Sequence, residues 1–122
     1  MARLSPREQQ HHRHVPAIDL DRARIVTVPL WLPGIGASTF GRVIVVRHDR
    51  AGDRALLAHE LVHVRQWREL GMIRFLRSYL GEYVALRRSG LPHRDAYRGI
   101  SFEVEARRSA GMQALAETRA SE

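Results

Sequence analysis

Cysteine, lysine and asparagine are all absent from this chain. Without cysteine there can be no disulfide, no thiolate zinc site and no cysteine nucleophile, and the redox compartment is left open. Long apolar runs are also missing. None approaches the roughly 18 residues that a membrane span needs, and the N-terminus lacks the apolar core of a signal peptide. The expected location is therefore the cytoplasm, unless export uses another route. All 20 basic residues are arginine, and the joint lack of Lys and Asn reads as the codon bias of a GC-rich genome. The formal net charge of +7 would ordinarily raise nucleic acid as a partner. These arginines, however, are scattered, with no dense basic block and no interleaved aromatics, so nucleic acid is not the expected partner.

At 122 residues, 44% hydrophobic and 27% charged, the chain has the size and composition of one soluble globular domain. Residues 1–20 read as a poorly ordered arm. Ser5 to Gln10 is polar, and the cluster His11-His12-Arg13-His14 has no apolar periodicity around it. Residues 21–122 read as the single domain. Two β-branched runs, 24–28 and 42–47, predict strands, the second so apolar that burial on both faces is expected. The Pro- and Gly-rich stretch between them, 29–41, predicts a loop whose Trp31 and Leu32 fold back on the core, or form a lip that contacts substrate or partner.

From residue 53 onward the periodicity turns helical. Residues 54–70 lack Gly and Pro, with Asp53 as a candidate N-cap and Gly71 as a stop. A second helix is predicted over 72–88, where Met72, Ile73, Leu76, Tyr79, Leu80, Tyr83 and Val84 recur at helical spacing and read as a core stripe. A short helical turn at 95–98 and a last helix over 102–117, capped by Ser101, complete the pattern. The predicted class is α+β: a small N-terminal sheet of two or three strands packed on a helical part.

The first long helix carries His59-Glu60-Leu61-Val62-His63, an H-E-x-x-H pattern. At about 100° per residue the two histidines lie about 40° apart, one turn above the other, so their ring nitrogens can meet at one metal ion. Glu60 is rotated by about 100° and can reach a water beside that ion without ligating it. Both histidines fall within the helix's apolar arc, with Arg54, Arg65, Arg68 and Glu69 on the opposite side. Imidazoles in such positions need partners, which a metal or ordinary hydrogen bonds would supply.

Zinc needs a third protein ligand and one open position. A histidine three residues beyond an interposed glycine is ruled out, because Gln66 and Glu69 stand at those positions. The remaining source is Phe102-Glu103-Val104-Glu105-Ala106 downstream. On the helical wheel Glu103 shares a face with Ala106, Ala110 and Ala114, where another helix can approach closely, while Glu105 points about 160° away. Glu103 is therefore the expected third ligand; the alternative is an exposed ion pair with Arg107.

H-E-x-x-H followed at a distance by E-x-x-A resembles the gluzincin zinc metallopeptidases, and at this size the single-domain minigluzincins, over roughly residues 24–118. The resemblance implies one Zn²⁺ per chain held by His59, His63 and Glu103, with Glu60 as general base in the hydrolysis of a peptide or protein substrate. Tyr97 is the expected oxyanion donor, followed by His93, Tyr79 and Tyr83. Many gluzincins have Asp directly after E-x-x-A to support a metal-binding histidine; here that residue is Arg107, leaving Asp95 or a backbone carbonyl as the substitute. A second class of function also fits: a metal-holding or metal-free interaction module on the same scaffold, without turnover.

Overall fold

The computed structural model describes residues 1–121, with side chains to residue 119. The fold is α+β, as expected. Four strands form one sheet in the order β1-β2-β4-β3: β1 (Ala2–Arg3), β2 (Arg24–Val28), β3 (Ala37–Phe40) and β4 (Val43–Arg47). β2 and β4 are parallel, pairing Ile25 with Ile44, whereas β3 returns antiparallel beside β4, pairing Thr39 with Ile44. The β3–β4 turn needs a positive φ at its first central residue, which Gly41 supplies at 64°.

Six helices accompany the sheet: α1 (Pro6–Gln10), α2 (Ala17–Arg22), α3 (Arg54–Leu70), α4 (Met72–Arg88), α5 (His93–Gly99) and α6 (Ser101–Ser121). Asp53 caps α3 by accepting from the Leu56 amide at 3.0 Å, and Gly71, with φ of 81°, lets the chain turn directly into α4. The core lies between the sheet, α3 and α6, with Ile44, Val46, Leu61, Val62, Val64 and Ala106 at its centre. None of the described helices is long and apolar enough to cross a membrane.

Four expectations need correction. Residues 1–20 are not a loose arm. Ser5 and Glu8 form a reciprocal capping box that starts α1, and Leu4, Val15 and Leu20 are buried in the core. His12 is buried too, and the buried Asp19 carboxylate accepts two hydrogen bonds from Arg68 at 2.5 and 2.8 Å, tying α2 to α3. The anchoring residues are spaced irregularly because the segment winds around the body, so periodicity could not reveal them.

The sheet has four strands rather than two or three. β1 lies in the supposed arm, and β3 hides in the Pro/Gly stretch as three small or polar residues followed by Phe40. β4 is not buried on both faces: Ile44 and Val46 are buried while Val43 and Val45 are only half-buried. Finally, the apolar stripe of α4 is mostly not core. Phe75 alone is buried, stacked on Trp67 with ring centroids 4.3 Å apart, while Met72, Ile73, Leu76, Leu80 and Val84 are exposed. The Trp31 loop divides: Trp31 donates to Ser38 Oγ at 3.0 Å and packs edge-on against Phe40, whereas Leu30 and Leu32 remain exposed.

Candidate metal centre

α3 and α6 cross where Ala106 is fully buried, and this close approach brings Glu103 against the two motif histidines. His59 Nε2 lies 2.9 Å from Glu103 Oε1, and His63 Nε2 lies 3.2 Å from both that oxygen and His59 Nε2. Tetrahedral zinc with bonds of about 2.1 Å would set neighbouring ligand atoms about 3.4 Å apart. The three atoms thus already stand close to that spacing. His59, Glu60 and His63 also offer ligand atoms within 4.8 Å of one another, so this group could hold a metal ion.

Hydrogen bonds on the far side of His63 and of Glu103 favour a cation at this point. His63 Nδ1 lies 2.7 Å from Gln66 Oε1, while the Gln66 amide nitrogen donates to the Phe102 carbonyl at 3.1 Å and to Glu105 Oε1 at 2.8 Å. With its amide protons committed there, Gln66 presents only an acceptor to His63. His63 must donate from Nδ1, so the neutral ring turns the Nε2 lone pair toward Glu103. Glu103 Oε2 accepts from the Tyr79 hydroxyl at 2.7 Å, leaving Oε1 to face the histidines. The close approach of these three atoms in a largely buried space calls for positive charge, supplied either by a proton on an imidazole or by a metal cation. A metal cation meets that need, and the nitrogen and oxygen donors suit zinc.

The electrostatics agree. Burial raises the Glu103 pKa, but hydrogen bonds to His59 and His63, with the His63 charge and the Tyr79 bond, bring it below the usual carboxylate range. Burial lowers the His63 pKa, and Glu103, Glu60 and Gln66 more than reverse this, so the net shift is upward. The pocket therefore favours an ionised carboxylate and accumulated positive charge.

Glu60 is buried beside the trio, but it is held differently. Its Oε2 accepts from the Thr39 hydroxyl on β3 at 2.7 Å, which fixes the carboxylate at the wall formed by the sheet edge. Tyr97 stands on α5 near the same carboxylates. Burial, followed by the charges of Glu103 and Glu60, raises its phenol pKa and keeps the O–H protonated. Tyr97 also interacts with Glu103 and Tyr79, while Tyr79 donates to Glu103 and Tyr83 pairs with His93 Nδ1 at 2.8 Å.

Two hollows meet at this point. One, of about 360 Å³, is walled by β3 and α4, with Phe40, Phe75, Leu76 and Leu80 lining it and Glu60, His63 and Glu103 at one end. The other, of about 410 Å³, is reached past His59 and is edged by Arg50, Arg98 and Arg107.

As the helical wheel suggested, Glu103 is buried while Glu105 is exposed and paired with Arg65. Other roles were not anticipated from the sequence. Arg107, where a supporting carboxylate was sought, donates to the Arg98 carbonyl at 2.6 Å. Among the described residues, neither Asp95 nor a backbone carbonyl hydrogen-bonds a motif histidine. Gln66 supports His63 instead, and its position three residues on along the same helix was the signal available for it. Thr39 and Tyr79 gave no such signal, because only the tertiary fold brings them to their carboxylates.

The family model described as the eCIS core domain matches residues 33–71. The matched segment carries β3, β4 and all of α3, and so includes Thr39, His59, Glu60, His63 and Gln66. Glu103, Tyr79 and Tyr97 lie outside it. No curated protein and no solved structure matches the chain.

Proposed function

We propose that the protein is a zinc-dependent peptidase in which His59, His63 and Glu103 hold the metal. The observation that carries this reading is the meeting of His59 Nε2, His63 Nε2 and Glu103 Oε1 within 3.2 Å, with Glu60 beside them on a separate hydrogen bond. When bound, zinc would supply a Lewis acid that lets water ionise near neutral pH and polarises a peptide carbonyl. Glu60 accepts the water proton and passes it to the departing amine. The hydroxyl of Thr39 keeps the Glu60 carboxylate oriented, and the phenol of Tyr97, held protonated, can donate to the developing oxyanion. Gln66 and Tyr79 do not touch substrate; they fix the His63 ring and the Glu103 carboxylate.

The substrate is a peptide or protein segment that passes from the apolar hollow, across the site, to the arginine-edged one. A metal-holding module without turnover would use the same three ligands but leave Glu60 no proton to move. The test is cleavage of a broad peptide library near neutral pH by zinc-loaded protein. Cleavage should stop on chelation and return when zinc is restored. Zinc bound without any cleavage would favour the module.

A further inference from the structure

α4 carries an apolar face that the body does not use. Phe75, Leu86, Tyr79 and Tyr83 turn toward the rest of the molecule, with Phe75 stacked on Trp67 and tilted against Phe102. Rotated by about 100° around the same helix, Ile73, Leu76, Leu80 and Val84 form a second apolar row. These four are 80%, 43%, 56% and 44% exposed. Arginines border the row: Arg87 lies within it, and Arg77, Arg88 and Arg74 follow along one side, all exposed. Arg74, Arg77 and Arg88 form no ion pair among the described residues. Glu82, the one acidic residue of α4, is on the far side, where it accepts from the amide and hydroxyl of Ser101 at 2.9 and 2.7 Å. Across the mouth of the apolar hollow, Phe40 is also exposed, and Leu30 and Leu32 flank the Trp31 ring packed on it.

We infer that this row is a docking face for a lipid bilayer with anionic head groups. α4 would lie in the plane of the interface, its apolar row among the upper acyl chains and its arginines at the phosphates. Three features favour lipid over protein. Ile73 and Val84 lie outside the hollow that Leu76 and Leu80 help to line, so this part of the row is an open helix surface that inserts more readily than it encloses. Its rim is cationic without carboxylates to compensate, and guanidinium groups pair well with phosphate. A second copy laid on the same face would bring like-charged rims together. The inference stands apart from the peptidase reading, since it requires neither metal nor turnover.

The test is flotation of the full chain with vesicles of phosphatidylcholine alone and of phosphatidylcholine and phosphatidylglycerol in equal parts. The protein should float with the anionic vesicles and remain behind with the neutral ones. Ile73→Ser with Val84→Ser alters two exposed side chains that do not line the hollow and leaves the charge unchanged. This variant should bind roughly tenfold more weakly or worse, with its circular dichroism spectrum unaltered. Arg77→Gln with Arg88→Gln should weaken binding by roughly fivefold for each arginine removed. Glu60→Gln should float like the wild type, so loss of peptidase activity cannot be mistaken for loss of docking. Three results would overturn the inference: no flotation by the wild type; unchanged flotation of the Ile73/Val84 variant, which would reduce binding to bulk charge; or self-association abolished by that variant without any vesicle binding.

Discussion

α3 and α4 are successive helices of 17 residues each, separated only by Gly71, and both have an apolar stripe in the sequence. Their fates are opposite. α3 buries polar residues, with Glu60, His63 and Gln66 all inside, whereas α4 buries a single residue and leaves five large apolar ones outside. Burying an imidazole, an amide and a carboxylate opposes folding unless each finds a partner. In α3 every one does: Gln66 and Glu103 for His63, Thr39 for Glu60, Phe102 and Glu105 for Gln66. The exposed row of α4 has no such internal account. A buried polar cluster and an uncovered apolar row both mark places where the fold has been shaped by something other than its own stability.

The sharpest way to break this comparison is at the histidines. Replacing His59 and His63 together with Ala should abolish stoichiometric zinc binding in calorimetry, even though His11, His12 and His14 remain. Glu103→Ala should follow closely, while Gln66→Ala should cost roughly tenfold to a hundredfold in affinity by releasing the His63 ring. Glu105→Ala should cost less than Glu103→Ala, because it acts only through Gln66. Zinc binding that survives the double histidine change but is lost on removing residues 1–20 would move the site elsewhere.

Stability sharpens the same comparison within α4. Phe75→Ala should destabilise by about 3–5 kcal/mol, since it empties the contact that pins α4 to α3 and α6. Ile73→Ser, two residues away on the uncovered row, should change stability by less than about 0.5 kcal/mol. Similar losses in denaturant melts would mean that the exposed row is covered in solution.

A smaller effect concerns the histidines of the N-terminal segment. Burial first, and then the charge of His14, lower the His12 pKa from 6.5 to about 4. Below pH 6.5 the unfolded chain takes up a proton that the folded chain refuses until about pH 4. This contribution to stability is therefore complete above pH 6.5, declines through that window as pH falls, and is flat below it. His14 is shifted in the same direction, chiefly by burial, and its Nε2 lies 2.9 Å from the Ala58 carbonyl on α3. His12→Gln should flatten the slope of denaturant midpoint against pH across that window; an unchanged slope would assign it to other groups.

The long helices, the two β-branched strands and the direction of Glu103 were legible in the sequence, because each rests on a period that local geometry enforces. His59 and His63 were legible for the same reason: one helical turn brings them together whatever the rest of the chain does. Leu4, Val15, Leu20 and Asp19 were not, since their contacts join residues far apart in sequence and follow no period. The exposed row of α4 was misread for a related reason. Periodicity says that a stripe exists, but not whether anything in the same chain will cover it. Thr39 and Tyr79 belong to the same class, being ordinary residues until tertiary structure sets them against a carboxylate.

In the proposed peptidase Glu60 moves a proton rather than binding the metal. Glu60→Gln retains the shape of the side chain and its capacity to hydrogen-bond Thr39 and water, but cannot accept a proton near neutral pH. Wild type and variant, each loaded with zinc and checked for metal content, would be compared for cleavage of a peptide library by mass spectrometry. Equal zinc content is expected, with a loss of hydrolysis of roughly a hundredfold or more in the variant. Cleavage at the same rate by both proteins, or by neither, would contradict this role of Glu60.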